Sequence, residues 1–214
     1  MAAVEIPGLC EFLRDYPQMA IRPSAGHSLR LKGQFVFAAH HSKEGDIRDS
    51  FALEMIVPNG FPKELPRVTE TGGRIPRTGE YHVNAADGTL CLGSPLSLLL
   101  KLSKQPTLEG FAENCLVPYL FAISHKLKNG GPLPFGELAH GVDGLFADYL
   151  NLFGLKTREQ LIYAFKLLGM KKRRANKLPC PCGCGIRLGR CKYNFRIREF
   201  RKIAGRTWFR SQVR

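Results

Sequence analysis

All of the excess positive charge of this 214-residue chain sits in its last sixty residues. Residues 1–154 carry 14 Lys and Arg against 16 Asp and Glu, a net of −2, whereas residues 155–214 carry 18 against two, a net of +16. That asymmetry marks a composition boundary, and a basic segment of this strength is expected to meet an anionic partner. The length allows one domain of ordinary size plus an appendage. The expected division is a first domain over 1–154, a connecting helix and basic linker over 155–178, and a cysteine-bearing basic tail over 179–214.

Several classes are set aside by simple counts. No apolar run approaches the ~20 residues that span a bilayer, so no membrane association is expected. Met1 to Pro7 lacks a basic region followed by an apolar core, so no secretory signal is expected and the cytoplasm is the default location. Seven cysteines could suggest a disulfide framework. Their distribution argues otherwise: Cys10, Cys91 and Cys115 are scattered, while four crowd into the twelve residues 180–191. An odd number with one tight cluster fits a reduced intracellular chain carrying a metal site.

The patterning predicts an α+β fold. Ile6 to Tyr16 is a short helix begun by Pro7. Ser28 to Phe37 is a half-buried strand, with Leu29, Leu31, Phe35 and Phe37 on one parity and a break expected at Gly33. Ser50 to Val57 is a second strand, closed by the turn Pro58-Asn59-Gly60. Asp46 lies between them, which implies a hairpin or meander. Arg67 to Glu70 forms a third short strand. Thr71 to Pro95 is rich in Gly, Pro, Asn and Asp and is expected to be an extended loop of the functional kind. Helices follow over Thr107–Lys126, with a kink at Pro118, over Gly141–Phe153, and over Thr157–Arg174. Thr157 and Gln160 have capping-box spacing.

The loop holds the first chemical constellation: His82, Asn84 and Cys91. A cysteine between Leu90 and Leu92 is often only a core residue. As a nucleophile it needs an exposed thiol and donors for an oxyanion, and a nearby Asn amide can be such a donor. Asp87-Gly88 supplies a turn that folds Asn84 back towards Cys91.

His82-x-Asn84 followed by Gly88-x-Leu90-Cys91-Leu92 resembles the segment that joins the His-Pro-Asn motif to the catalytic cysteine in ubiquitin-conjugating enzymes. Phe61-Pro62-x-x-x-Pro66-x-Val68 is similar to that family's upstream aromatic-Pro-x-x-Pro-Pro-x-Val signature. Pro132 to Pro134 falls where the family has a Pro-rich stretch. The resemblance spans roughly Pro7 to Gly154. It departs at Val83, where Pro is usual, at Gly93, where an acidic residue is common, and in a shorter interval from Asn84 to Cys91. These departures point to a bacterial branch, similar to relatives in antiphage operons with cyclic-nucleotide signalling.

The resemblance implies an antiparallel sheet with flanking helices and a transferase that carries a modifier protein as a thioester on Cys91. Asn84 would stabilise the oxyanion or hold the loop, and His82 would brace the loop through backbone hydrogen bonds. It further implies a ubiquitin-like modifier or other protein C-terminus as donor group, a separate activating enzyme, and a target amine such as one on a cyclic-nucleotide synthase. The rival reading is a non-catalytic binding module on the same fold.

The second constellation is Cys180-Pro181-Cys182-Gly183-Cys184-Gly185 with Cys191. Four thiolates in a Pro- and Gly-containing loop suit a tetrahedral structural Zn2+. Too few residues surround the cluster for an independent apolar core to be expected, which makes a metal staple physically sensible. The segment resembles the SEC-C zinc module at Cys180, Cys182, Gly183, Gly185 and Cys191. It departs at Cys184, where Ser is usual, and at Lys192, where the last ligand is usual. Cys184 replacing that ligand is the simplest reconciliation; three sulfurs plus an outside ligand is the alternative.

Lys171 to Arg174 and the run from Arg187 to Arg214 interleave Arg with Phe195, Phe200, Trp208 and Phe209. That mixture suits phosphate contacts with base stacking, and it suits an acidic protein surface equally well. His140, beside Gly141, is expected to make a helix-boundary bond.

Overall fold

The parity seen over residues 29–37 runs well beyond them. Helix α1 (Leu9–Asp15) leads into strands β1 (Met19–Arg22), β2 (Leu29–His41), β3 (Gly45–Val57) and β4 (Arg67–Glu70). The computed structural model describes residues 5–24, 26, 28–134 and 141–213; His140 lies outside them. The four strands form one antiparallel sheet in the order β1-β2-β3-β4. Its register pairs Leu31 with Met55 and Phe35 with Phe51. These four side chains are buried on one face together with Phe37, Leu53 and Val57. Successive side chains of a strand alternate faces, so equal parity on both paired strands gives one continuous apolar face.

Gly33 is not a break. It lies inside β2, paired with Met19 on one side and Leu53 on the other. A Cβ there would sit 2.0 Å from the Gln18 carbonyl oxygen, so the glycine serves a close backbone approach, not a chain bend. Asp46 also differs from expectation: it is in β3, opposite His40, and the hairpin tip is residues 42–44.

The expected long helix beyond Thr107 is three joined pieces: α3 (Leu108–Phe111), a π-helical turn over Ala112–Leu116, and α4 (Val117–Asn129). Thr107 caps it, accepting from the Gly110 amide at 3.0 Å. The Val117 amide bonds to the Ala112 carbonyl, five residues back. This widening explains why Pro118 fits: its ring would clash with the turn before it in a regular α-helix. Before these lies α2 (Pro95–Leu102), started by the Ser94 side chain, which accepts from the Ser97 amide.

The chain divides into two compact units, Met1–Glu137 and Leu138–Arg214. The boundary therefore falls before the charge change at 154. Helix α5 (Gly141–Phe153) and helix α6 (Arg158–Gly169) belong to the second unit with α7 (Lys172–Ala175), α8 (Asn194–Ile203) and α9 (Arg206–Ser211). Within the span expected to hold a connecting helix and a basic linker, α6 buries Leu161, Ala164, Phe165, Leu167 and Leu168. Thr157 and Gln160 do form the reciprocal capping box.

The cysteine cluster also has an apolar core beside it, contrary to the expectation from its short surroundings. Phe153 stacks on Phe200 with centroids 3.9 Å apart. Phe165 packs edge-on against Phe153 and against Trp208. Phe200 and Phe209 are core residues and are not stacking platforms; of the aromatics expected to stack on bases, Phe195 is the one left 70% exposed.

Candidate functional site

The Cys91 loop is built from a short antiparallel bridge. Val83 pairs with Leu90, and both side chains are buried. The alternation that buries this pair leaves Asn84 and Cys91 at the surface, and both are exposed. The Cys91 amide donates to the His82 carbonyl at 2.7 Å, and the Asn84 amide donates to the Thr89 carbonyl at 2.9 Å. The tip closes through Gly88, whose φ of 71° is in the left-handed region and whose amide donates to the Asn84 carbonyl at 2.8 Å. The Asn84 side-chain oxygen accepts from the Ala86 amide at 3.1 Å, an Asx turn that fixes the carboxamide.

His82 has φ of 51°, the one positive value outside glycine among the described residues. Such a conformation persists where its surroundings over-determine it. Here they do. The Tyr119 hydroxyl donates to the Tyr81 carbonyl at 2.8 Å, and Lys126 Nζ donates to the Glu80 carbonyl at 3.0 Å while lying over the Tyr81 ring. The Leu90 amide donates to the Val68 carbonyl of β4 at 2.8 Å, tying the loop to the sheet. Burial pushes the Tyr119 phenol well above its ordinary value, and the nearby Cys91 and Glu70 push it in the same direction. The sequence pattern did not single out Tyr119 as a tie to this loop; a tyrosine inside a helix carries no local signal of such a contact.

The second cluster is tighter. The sulfurs of Cys180, Cys182, Cys184 and Cys191 all lie within 4.8 Å of one another. Cys191 Sγ is 3.7 Å from Cys182 Sγ and 3.6 Å from Cys184 Sγ. A disulfide would need about 2.05 Å. Four thiolates around one ion at Zn–S distances near 2.3 Å stand about 3.8 Å apart. The donor set therefore fits a metal ion, and Cys184 is inside it.

The local fold follows from the same residues. Gly183 and Gly185 have φ of 82° and 76°, which lets the chain turn twice within the loop. Pro179 bridges to Arg187, and the Cys180 amide donates to the Ile186 carbonyl at 2.9 Å, closing the loop's base. The Tyr193 amide donates to Cys191 Sγ at 3.4 Å. The thiol chemistry is divided: burial pushes Cys180 and Cys182 up, while the Ile186 amide leads in holding Cys184 down. The Tyr193 hydroxyl donates to the Phe153 carbonyl at 2.8 Å, joining the cluster to the aromatic core.

No helix among the described residues is long and apolar enough to cross a membrane. No protein-family model, curated protein or solved structure matches the chain.

Proposed function

We propose that the first unit is a ubiquitin-conjugating-like transferase that carries a modifier protein on Cys91. The observation behind this reading is an exposed cysteine at the end of a loop braced from both sides, with Asn84 presented on the same outward side. The Cys91 thiolate attacks the thioester on a separate activating enzyme, whose own thiolate leaves. A target amine then attacks the Cys91 thioester, loses its proton to solvent, and releases the Cys91 thiolate. The Asn84 side-chain NH2 donates to the oxyanion that forms in each step, and losing such a donor slows turnover by on the order of 10²–10³. His82 and Tyr119 act through the backbone by fixing the turn before Asn84. The setting that the resemblance suggests is a bacterial antiphage pathway with a cyclic-nucleotide synthase as target.

The four cysteines hold a structural zinc ion that shapes the second unit and takes no part in transfer. One zinc per chain by elemental analysis is the expected result, lost on Cys184→Ser.

The test of transfer is an adduct assay with the modifier, its activating enzyme and ATP. Wild type gives an adduct cleaved by dithiothreitol. Cys91→Ala gives none, and Cys91→Ser gives one that resists thiols and yields to hydroxide. An adduct that forms equally without Cys91 sinks the proposal and favours a non-catalytic module.

A further inference from the structure

The second unit holds 18 basic residues against four acidic ones. Two of those acids are already engaged, Asp143 with Arg158 and Glu199 with Lys202. Four of the cations converge on one concavity of about 440 Å3, lined by Lys171, Lys172, Arg201 and Arg206 with Leu168 and Ala204. No acidic side chain lines it. None of the ion pairs among the described residues uses any of the four cations.

Arg201 is fixed in place. It donates to the carbonyls of Leu167, Leu168 and Met170 at 2.7, 3.1 and 2.9 Å, closing the C-terminal end of α6. Three of its five N–H donors are thereby used, and the rest of the fork is left for another acceptor. Burial, and then Arg206, push its guanidinium below its ordinary value. Like charges held together in a concavity, without a carboxylate between them, make a site for an anion.

We propose that this cavity binds a phosphate of a nucleic-acid backbone. Four cations on one cavity suit a group with several charged oxygens better than a single carboxylate. The lining has no aromatic ring and no side-chain amide, so it can position a phosphate and cannot read a base. A free nucleotide would need no more than the cavity. The remaining cations of the unit suit a polymer that presents further phosphates along its length. The site is independent of Cys91 and stands or falls without the transfer reaction.

The experiment is fluorescence anisotropy of a labelled 20-mer oligonucleotide on the full chain across a salt series. The variant Lys171→Ala/Lys172→Ala/Arg206→Ala is expected to bind at least tenfold more weakly and to lower the slope of log K against log salt by about 2–3. Lys156→Ala/Lys166→Ala/Arg198→Ala removes equal charge from exposed positions of the same unit and is expected to bind within threefold of wild type. Equal loss in both triples overturns the cavity as the site. Competition distinguishes the ligand. A polynucleotide is expected to displace the probe at a phosphate concentration where AMP and inorganic phosphate do not, and poly-glutamate is expected to fail. Displacement by poly-glutamate at equal charge overturns the phosphate assignment, and equal displacement by AMP overturns the polymer. Acetylation footprinting needs no variant: the oligonucleotide should shield Lys171 and Lys172 more than Lys156 and Lys166, and even shielding counts against the site.

Discussion

The two units use charge in opposite ways. Residues 1–137 carry 14 basic and 14 acidic residues, so the first unit is neutral and the whole +14 belongs to the second. In the first unit the charges hold the fold. Arg30 pairs with Glu54 across β2 and β3. Arg74 grips both oxygens of Asp49 at 2.6 and 2.9 Å, and Ser124 of α4 donates to the same carboxylate at 2.7 Å. In the second unit four carboxylates cannot match eighteen cations. A charge matched inside its own unit is spent on folding, while an unmatched one raises self-repulsion and is useful only to a partner. The second unit therefore needs stability from another source, and the aromatic core with its four-sulfur cluster provides it.

The largest effect should come from taking that source away. A strong zinc chelator, or Cys180→Ser, is expected to cost the second unit several kcal/mol, since metal-binding free energy in such a site is folding free energy. Trp208 is the single tryptophan and packs on Phe165 and Phe209, so its emission reports this core. A red shift on chelation is the expected result. Unchanged emission after the metal is stripped would mean that the core stands alone.

A comparable loss in the first unit requires opening its core. Phe35 is fully buried and stacks on Tyr16 at 4.1 Å. Phe35→Ala should lower the stability of the sheet by about 3–5 kcal/mol. The measurement is urea unfolding followed by the sheet's circular dichroism. The same loss is expected with and without chelator, because the first unit supplies none of the four cysteines.

Asp49 gives a smaller, pH-dependent effect. Burial pushes its carboxyl up, but hydrogen bonds from Arg74, Ser124 and the Ser50 amide outweigh that and hold it at about 2. A group whose value is lower folded than unfolded stabilises fully above its unfolded value near 4 and stops doing so as pH falls towards 2. Asp49→Asn should cost about 1–2 kcal/mol at pH 7. The gap between variant and wild type should close between pH 4 and pH 2 in thermal melts; a gap that persists at pH 2 would assign the effect to packing.

The smallest expected change is at Thr157, whose hydroxyl accepts from the Gln160 amide at 3.3 Å. Thr157→Ala should cost about 1 kcal/mol, read from the Trp208 transition.

What could be read in advance divides along the same line. The parity of Leu31, Phe35 and Phe37, the Thr157 capping box and the cysteine spacing are local patterns, and each appears in the structure. Other features depend on neighbours distant in sequence. Gly33 looks like a breaker until Gln18 is seen against it. His40, His41 and Asp46 hide the far ends of β2 and β3 because a hairpin tip is polar. Helices α8 and α9 are masked by arginines, although Ile197, Phe200 and Phe209 give them a buried side. The short β1 and the Leu-rich α2 carried too little periodicity to stand out. The change of charge at 154 marks where unmatched cations begin, not where one core ends and the next starts, and α5 falls on the far side. At the Cys91 loop, the residue types were legible, but the bracing by Tyr119 and Lys126 depends on which way a distant helix faces.

That facing is set by the widened turn at Ala112–Leu116. One residue advances an α-helix by about 100°. Everything α4 delivers lies beyond the turn: Tyr119 to the Tyr81 carbonyl, Ser124 to Asp49, His125 to Glu44 and Lys126 to the Glu80 carbonyl. The turn works as a phase setting on a shaft. Deleting one residue from it would give a more regular helix, with every one of those teeth out of mesh and the Cys91 loop without its clasp.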